Sequence, residues 1–378
     1  MPQFASSTPI RRTTLGIRWS YLSTLPNMSD TSPLSSTVEE QALHKPDREL
    51  GTAIRWYRPR LPKEVLASLN RKSDFKGFLQ TGGYLLTITA TGWLFVWCCF
   101  EHPWFAVPAL FLHGACCAFL INGFHELVHD SVFKTRWLNR FFLNIFSFLG
   151  WYNHIGFWAS HSEHHRFTLH PPDDLEVVLP QQATLKMILR FGIVDFNGLR
   201  WIIPATLRSA RGHLGGEWDT YLFTKRKPEM RKALHRWAAI VLAGHALIAI
   251  VSIATGYWPI LIAVSFGRFF GSGIQFLCNA TQHIGLVDEY PDFRVCCRTF
   301  ELDPVLRFLY WNMNYHTEHH MFAGVPCYNL RRLHRLIKNE MPESTRGLIQ
   351  TWKQISQILK RQKDDPTYQF VPKVPLGE

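Results

Sequence analysis

Four apolar runs each have about the length of a bilayer-crossing helix, roughly 20 residues. They are 78–100 (FLQTGGYLLTITATGWLFVWCCF), 104–124 (WFAVPALFLHGACCAFLINGF), 237–255 (WAAIVLAGHALIAIVSIAT) and 257–278 (YWPILIAVSFGRFFGSGIQFLC). Only Glu101-His102-Pro103 separates the first two, and only Gly256 the second two. The pattern predicts two helical hairpins. Trp97, Trp104, Tyr257 and Trp258 stand at those turns, where interfacial aromatic residues belong. The turns contain no Lys or Arg, whereas Arg55, Arg58, Arg60, Lys63, Arg71, Lys72 and Lys76 precede the first run, and the central loop and the C-terminal tail are also basic. The positive-inside rule then places both termini and the central loop in the cytosol. It also accounts for the net charge of +12 without a nucleic-acid partner.

Two weaker apolar stretches, 137–151 and 187–204, are too short or too interrupted to span and read as helices lying in the interface. Residues 330–361 set Leu333, Leu336, Ile337, Leu348, Trp352, Ile355 and Leu359 among many basic residues, the pattern of a cytosolic helical cap. The expected fold is an all-α membrane protein, with four transmembrane helices as two hairpins and a cytosolic helical cap holding a dimetal centre. Its expected parts are a disordered leader over 1–50, a membrane domain over 51–340 and a cytosolic tail over 341–378. The leader is rich in Ser, Thr and Pro, and Arg11, Arg12 and Arg18 precede its first acidic residue, Asp30. That composition resembles a transit peptide; an ordinary disordered leader, or a start at Met28, reads it more simply. The eight cysteines include no CxxC and read as buried thiols, with Cys296-Cys297 also weighed as an acylation site.

The chemistry is carried by histidine. His125-Glu126-Leu127-Val128-His129, HSEHH at 161–165 and HTEHH at 316–320 supply eight imidazoles, all on the cytosolic side of the expected topology. Neutral imidazole is the commonest biological metal ligand. Eight exceed the four ligands of a tetrahedral zinc and suit two metal ions. His125 and His129, four apart, share one helix face, as do the first and fourth residues of each pentad. Asn279 and His283 share another, at the end of the fourth run, which makes His283 a ninth candidate. An all-nitrogen site accepts zinc, iron, copper or nickel. Two redox-capable ions beside a bilayer point to oxygen chemistry on an apolar substrate, with iron the economical choice. A competing reading takes 125–129 as H-E-x-x-H, the helix of a zinc hydrolase with Glu126 as general base; it leaves both pentads unexplained. Glu163 and Glu318, inside the pentads, either orient imidazoles or make surface ion pairs. Asp173, Asp174 and Glu176 either orient ligands, bind a substrate head group or are simply solvated.

These residues resemble the membrane fatty acid desaturase superfamily, with its HxxxH or HxxxxH box and two HxxHH boxes. The resemblance covers roughly residues 55–340, including HHRFTLHPPDDLE (164–176) and NYHTEHHMFAGVPCYNLRRLH (314–334). It implies two iron ions held by His125, His129, His161, His164, His165, His283, His316, His319 and His320, with Asn279 approaching one iron through water. It implies dioxygen as co-substrate and desaturation of a fatty-acyl or lipid-like chain, or hydroxylation, ketolation or acetylenation on the same scaffold. The first box has the short HxxxH form, closer to acyl-lipid, sphingolipid and small-metabolite enzymes than to the acyl-CoA branch. Ala323 stands where many relatives have proline. No haem-binding HPGG motif is present, so electrons are expected from a separate donor such as cytochrome b5 with its reductase, or ferredoxin, docking on the basic cytosolic face. The resemblance also implies residence in the endoplasmic reticulum.

Overall fold

The computed structural model describes residues 51–375; the leader expected over 1–50 lies outside the described residues. The described chain is mostly helical. Helix α1 is Lys63–Leu69 and α2 is Asp74–Glu101. The Ser73 hydroxyl caps α2 by accepting from the Lys76 amide, and Asp74 sits in its first turn, where a carboxylate complements the helix dipole. The helix ends just before Pro103, which disfavours helical backbone at the residue preceding it. The chain returns through α3 (Ala106–Ala118) and α4 (Leu120–Val128). Then come α5 (Arg136–Leu149), α6 (His154–Phe167), α7 (Leu185–Gly192), α8 (Phe196–Ala210), α9 (Glu217–Tyr221) and α10 (Arg231–Ala254).

Among the described residues, three stretches are long and apolar enough to cross a membrane: Lys63–Glu101, Pro103–Val128 and Pro228–Ala254. Their outward faces carry uncovered apolar side chains, among them Leu86, Trp93, Trp104, Leu247 and Ile250, with Trp104 91% exposed.

The expected fourth run is not one helix. It starts as α11 (Trp258–Leu261), widens to a π turn at Ile262–Phe266, tightens to a 3-10 turn at Gly267–Phe269 and becomes extended at Phe270. Helix resumes as α12 (Gly273–Ala280). Hydropathy cannot register this break, because Gly and Ser keep the run apolar. Backbone groups freed in apolar surroundings need internal partners, and they have them. His113 Nε2 lies 3.0 Å from the Ala263 carbonyl, and Trp151 Nε1 donates to the Ser265 carbonyl at 2.6 Å. The Asp195 amide donates to Phe269 O, and the Gly271 amide to Ile193 O, both at 2.8 Å. His245 Nδ1 lies 2.8 Å from Ser265 Oγ, its ring stacked between Phe148 and Trp151. The two histidines inside the apolar runs thus serve the break. Gly114 lets α3 approach it: a Cβ there would sit 2.1 Å from Phe270 O.

The weaker stretches form helices as expected. Helix α5 buries Leu138, Phe142, Leu143 and Phe146 and exposes Trp137 and Phe141. Helices α7 and α8 expose Leu185, Leu189, Phe196 and Ile203.

Past α12 the chain builds a cap from α13 (Phe293–Cys296), α14 (Pro304–Leu309), α15 (His316–Met321), α16 (Cys327–Ile337) and α17 (Gly347–Asp364). Short parallel strands β1 (Phe300–Glu301) and β2 (Thr345–Arg346) join its parts. An aromatic core, including Tyr84, Phe119, Phe124, Phe146, Tyr310 and Trp311, packs the cap onto α2, α4 and α5. The segment before α1 straps the cap: Trp56 stacks on Phe293 at 4.0 Å, Tyr57 donates to Glu340, and Arg58 Nε donates to Met321 O at 2.6 Å. Cys296 and Cys297 are buried under this strap, 0% and 2% exposed, so the acylation considered from sequence has no accessible thiol.

Candidate metal centre

Helical spacing delivers the imidazoles to one buried region. His125 lies in the last turn of α4 and His129 caps it. Helix α6 carries His161, His164 and His165, α15 carries His316, His319 and His320, and His283 follows α12. They divide into two groups. His125, His129, His161, His165 and His319 form the first, their donor atoms all within 4.8 Å of one another. His283, His316 and His320 form the second on the same criterion, joined by Cys297. The His164 ring joins the second group, 5.2 Å from His283 and 5.0 Å from His320 between centroids. All nine sequence candidates therefore lie together, divided five and four.

Acceptors fix which nitrogen points inward. His161 Nδ1 is 2.6 Å from Glu176 Oε1, His164 Nδ1 is 2.7 Å from Asp174 Oδ2, and His283 Nδ1 is 2.8 Å from the Cys296 carbonyl. His320 Nδ1 is 3.2 Å from the Thr168 hydroxyl. With Nδ1 protonated, Nε2 carries the lone pair, and these Nε2 atoms converge. His161 and His165 approach at 3.0 Å, His283 and His316 at 3.0 Å, His316 and His320 at 3.1 Å, and His165 and His319 at 3.2 Å. His125 Nε2 and His129 Nε2 have no hydrogen-bond partner although buried. Facing lone pairs repel unless a cation sits between them. Metal–nitrogen bonds of roughly 2.1 Å place adjacent nitrogens about 3.0 Å apart at right angles and about 3.4 Å apart at tetrahedral angles. The spacing thus fits the edges of two coordination shells, and the residues present fit two metal ions.

The electrostatics agree. Burial, then repulsion from neighbouring imidazoles, holds His129, His161, His165, His316, His319 and His320 well below the ordinary imidazole range. Burial takes His283 down to about 3. These rings are neutral, the form a metal takes. Burial also opposes charge on His164, but the Asp174 carboxylate overrides it and raises that ring. Burial pushes the Glu176 carboxyl up to about 7.

Other expected residues divide. Asp174 and Glu176 sit behind ligand-type imidazoles, as above. Glu163 turns instead to Arg226, 2.5 Å away, and Lys227, 3.6 Å away. Glu318 accepts from His334 Nδ1 and the Thr299 hydroxyl, tying α15 to α16 and to the chain before β1. Asn279 Oδ1 accepts from Asn122 Nδ2 at 3.0 Å. Asn122 was not singled out from sequence, although it lies three residues before His125. Glu126 is fully buried, with Oε1 3.2 Å from His125 Nδ1 and 3.4 Å from His319 Nδ1. Cys297, beside the second group, gave no sequence signal beyond its neighbouring cysteine.

Comparison with known proteins gives one family. The family described as fatty acid desaturase matches residues 101–352, more than half of the chain, and takes in every histidine of both groups. No curated protein matches the chain.

Proposed function

The chain belongs to the fatty acid desaturase family, and on that premise we propose a dioxygen-dependent membrane desaturase that introduces a double bond into a fatty-acyl or lipid-like chain, using two irons. The observation that carries this reading is the convergence of Nε2 lone pairs at 3.0–3.2 Å in two buried groups. His125, His129, His161, His165 and His319 would hold one iron, and His164, His283, His316 and His320 the other. When bound, the two irons would activate dioxygen, the oxidant that takes hydrogen from an unactivated carbon chain and leaves as water. The protein holds the ligands rigid through Asp174, Glu176, Thr168 and the Cys296 carbonyl. It excludes water by the aromatic core below and the Trp56–Arg58 strap above. Asn122 positions Asn279, which would reach one iron through water.

The three long apolar helices and the broken fourth segment would make four crossings, with the termini, cap and histidines on the cytosolic side. A separate donor, cytochrome b5 or ferredoxin, would supply electrons there, and the endoplasmic reticulum would be its location. Hydroxylation, ketolation and acetylenation share this cradle. The zinc hydrolase reading is weaker, because Glu126 lies against His125 Nδ1 and His319 Nδ1, supporting imidazoles from behind rather than standing free as a base.

The test is elemental analysis of detergent-purified protein with lipid product analysis from expressing cells. About two irons per chain and a new double bond, both lost in His161→Ala, are expected. A folded His161→Ala with full turnover, or one zinc per chain with no oxygen demand, would overturn the proposal.

A further inference from the structure

Arg268 is the only Lys, Arg, Asp or Glu within the four apolar runs. A guanidinium in such surroundings is costly unless it is paired. It stands in the 3-10 turn of the broken fourth run, Gly267–Phe269. Its guanidinium carbon lies 4.8 Å from the centre of the Tyr152 ring and 4.8 Å from that of Phe269. Nη1 donates to the Gly150 carbonyl at 3.1 Å, at the C-terminal end of α5. A helix end offers about half a negative charge, so the cation stays incompletely compensated. Among the described residues no carboxylate pairs with it. Asp195, beside the break, gives its Oδ1 to the Gly198 amide at 2.8 Å. Arg268 Nε is buried without a hydrogen-bond partner, and so is the hydroxyl of Tyr152, whose ring the guanidinium covers. Two neighbouring donors, one of them cationic, are left without the acceptor that buried polar groups require.

Aromatic contacts connect this pair to the metal centre. Tyr152 lies against Phe124 with ring centroids 4.8 Å apart, Phe124 against Phe157 at 4.8 Å, and Phe157 stacks on His161 at 4.6 Å. Two phenyl rings therefore separate Tyr152 from a histidine of the first group. We propose that Arg268 and Tyr152 bind the carboxylate of a long-chain acid, held inside the bundle beside the break. A carboxylate carries the single negative charge that cancels Arg268. Its two oxygens suit the planar fork of a guanidinium, and a remaining lone pair accepts from the Tyr152 hydroxyl. An ester or an alcohol of the same chain has no charge to offer. The inference rests on the desaturase reading for what happens to the chain and narrows its substrate class to an unesterified acid. Anchored at Arg268, such a chain has Phe124 and Phe157 as an apolar wall leading to His161, which fixes which methylenes come near the metals.

The experiment measures binding of radiolabelled hexadecanoate to the full, metal-loaded chain in a non-ionic detergent, at mildly alkaline pH where the acid is ionised. Unlabelled hexadecanoate, methyl hexadecanoate and hexadecanol compete for it. Hydrogen bonds to a charged group are each worth roughly 10–100-fold in affinity, so the ester and the alcohol should compete weaker than the acid by about that factor. Arg268→Gln should bring all three to similar strength. Tyr152→Phe keeps the ring and should weaken hexadecanoate roughly 3–10-fold, the worth of one neutral hydrogen bond. Equal competition by acid, ester and alcohol in the wild type overturns the site and leaves Arg268 as a cap on α5; this outcome needs no variant to fold. Preference for the acid that persists in Arg268→Gln overturns it as well. If Arg268→Gln does not accumulate, the wild-type competition and Tyr152→Phe decide. Double-bond formation in lipid extracts is read separately. Preference for the acid without a new double bond counts against the desaturase reading and leaves the site standing; a new double bond without that preference does the reverse.

Discussion

Replacing Asp174 with Asn tests whether the hydrogen bonds behind the imidazoles hold the metal. Asp174 is fully buried, and its carboxylate is saturated with donors. Oδ2 accepts from His164 Nδ1 at 2.7 Å and from the Leu169 amide at 2.8 Å, while Oδ1 accepts from the Glu176 amide at 2.9 Å. An Asn side chain must turn its NH2 toward one of these donor sets. A buried donor left facing another donor costs about 1–3 kcal/mol. If the NH2 meets His164, that ring loses its acceptor and its orientation. Loss of an outer hydrogen bond typically weakens metal binding about 10–100-fold, or about 1.4–2.7 kcal/mol, which falls in the same range. The expected outcome is selective depletion of one of two metals when Asp174→Asn is dialysed against a graded chelator. Glu163→Gln, whose carboxylate faces Arg226, should retain both metals as wild type does. An Asp174→Asn protein that keeps both metals at wild-type chelator concentrations would refute the reasoning.

Three further outcomes follow from the geometry. Gly114→Ala places a Cβ against Phe270 O and should destabilise by about 1–3 kcal/mol through overpacking, whereas Gly82→Ala, with nothing within 4 Å, should leave thermal unfolding in detergent unchanged. His113→Leu strips the Ala263 carbonyl of its donor in apolar surroundings and should cost several kcal/mol, about the price of a buried unsatisfied group, seen as a lowered melting temperature. Acid should loosen the protein with a definite sign. His129, His161, His165, His283, His316, His319 and His320 are neutral when folded, with His283 at about 3, and take protons when unfolded near about 6.5. Below that pH the unfolded state binds more protons, so stability is present above it and falls as pH drops from 7 toward 5; a melting temperature that rises over that interval would contradict this.

That the histidines gather was legible because helical geometry is local: His125 and His129, four apart, share a group. The pairing within the pentads was not. The first and fourth residues were expected together, but the first and fifth share a group (His161 with His165, His316 with His320), and the fourth, His164 or His319, goes to the other, because four residues come closer to a whole helical turn than three. His283 was expected on one helix face with Asn279 but lies just past the end of α12. Glu163 and Glu318 stood open between orienting imidazoles and making ion pairs. Each lies two residues after a pentad's first histidine, and residues i and i+2 of a helix do not face each other. Their carboxylates accordingly point to Arg226 and to His334. The division into groups of five and four was not legible, since it depends on how α4, α6 and α15 meet across more than 150 residues. The break near Phe270 was hidden for a similar reason. What makes it tolerable are His113, Trp151 and the Ile193–Asp195 linker, all remote in sequence, while the run itself stays apolar.

The mixed parentage of the two histidine groups bears on when the protein can be finished. The first group takes four imidazoles from residues 125–165 and one from His319; the second takes His164 from the early part and the rest from residues 283–320. On the proposed assignment, neither ion has its full set until ribosomes have passed His319 and His320. Iron would then rivet the early and late halves of the newborn polypeptide together, and a chain stopped short of α15 would reach the quality-control machinery of its membrane unmetallated and recognisably incomplete.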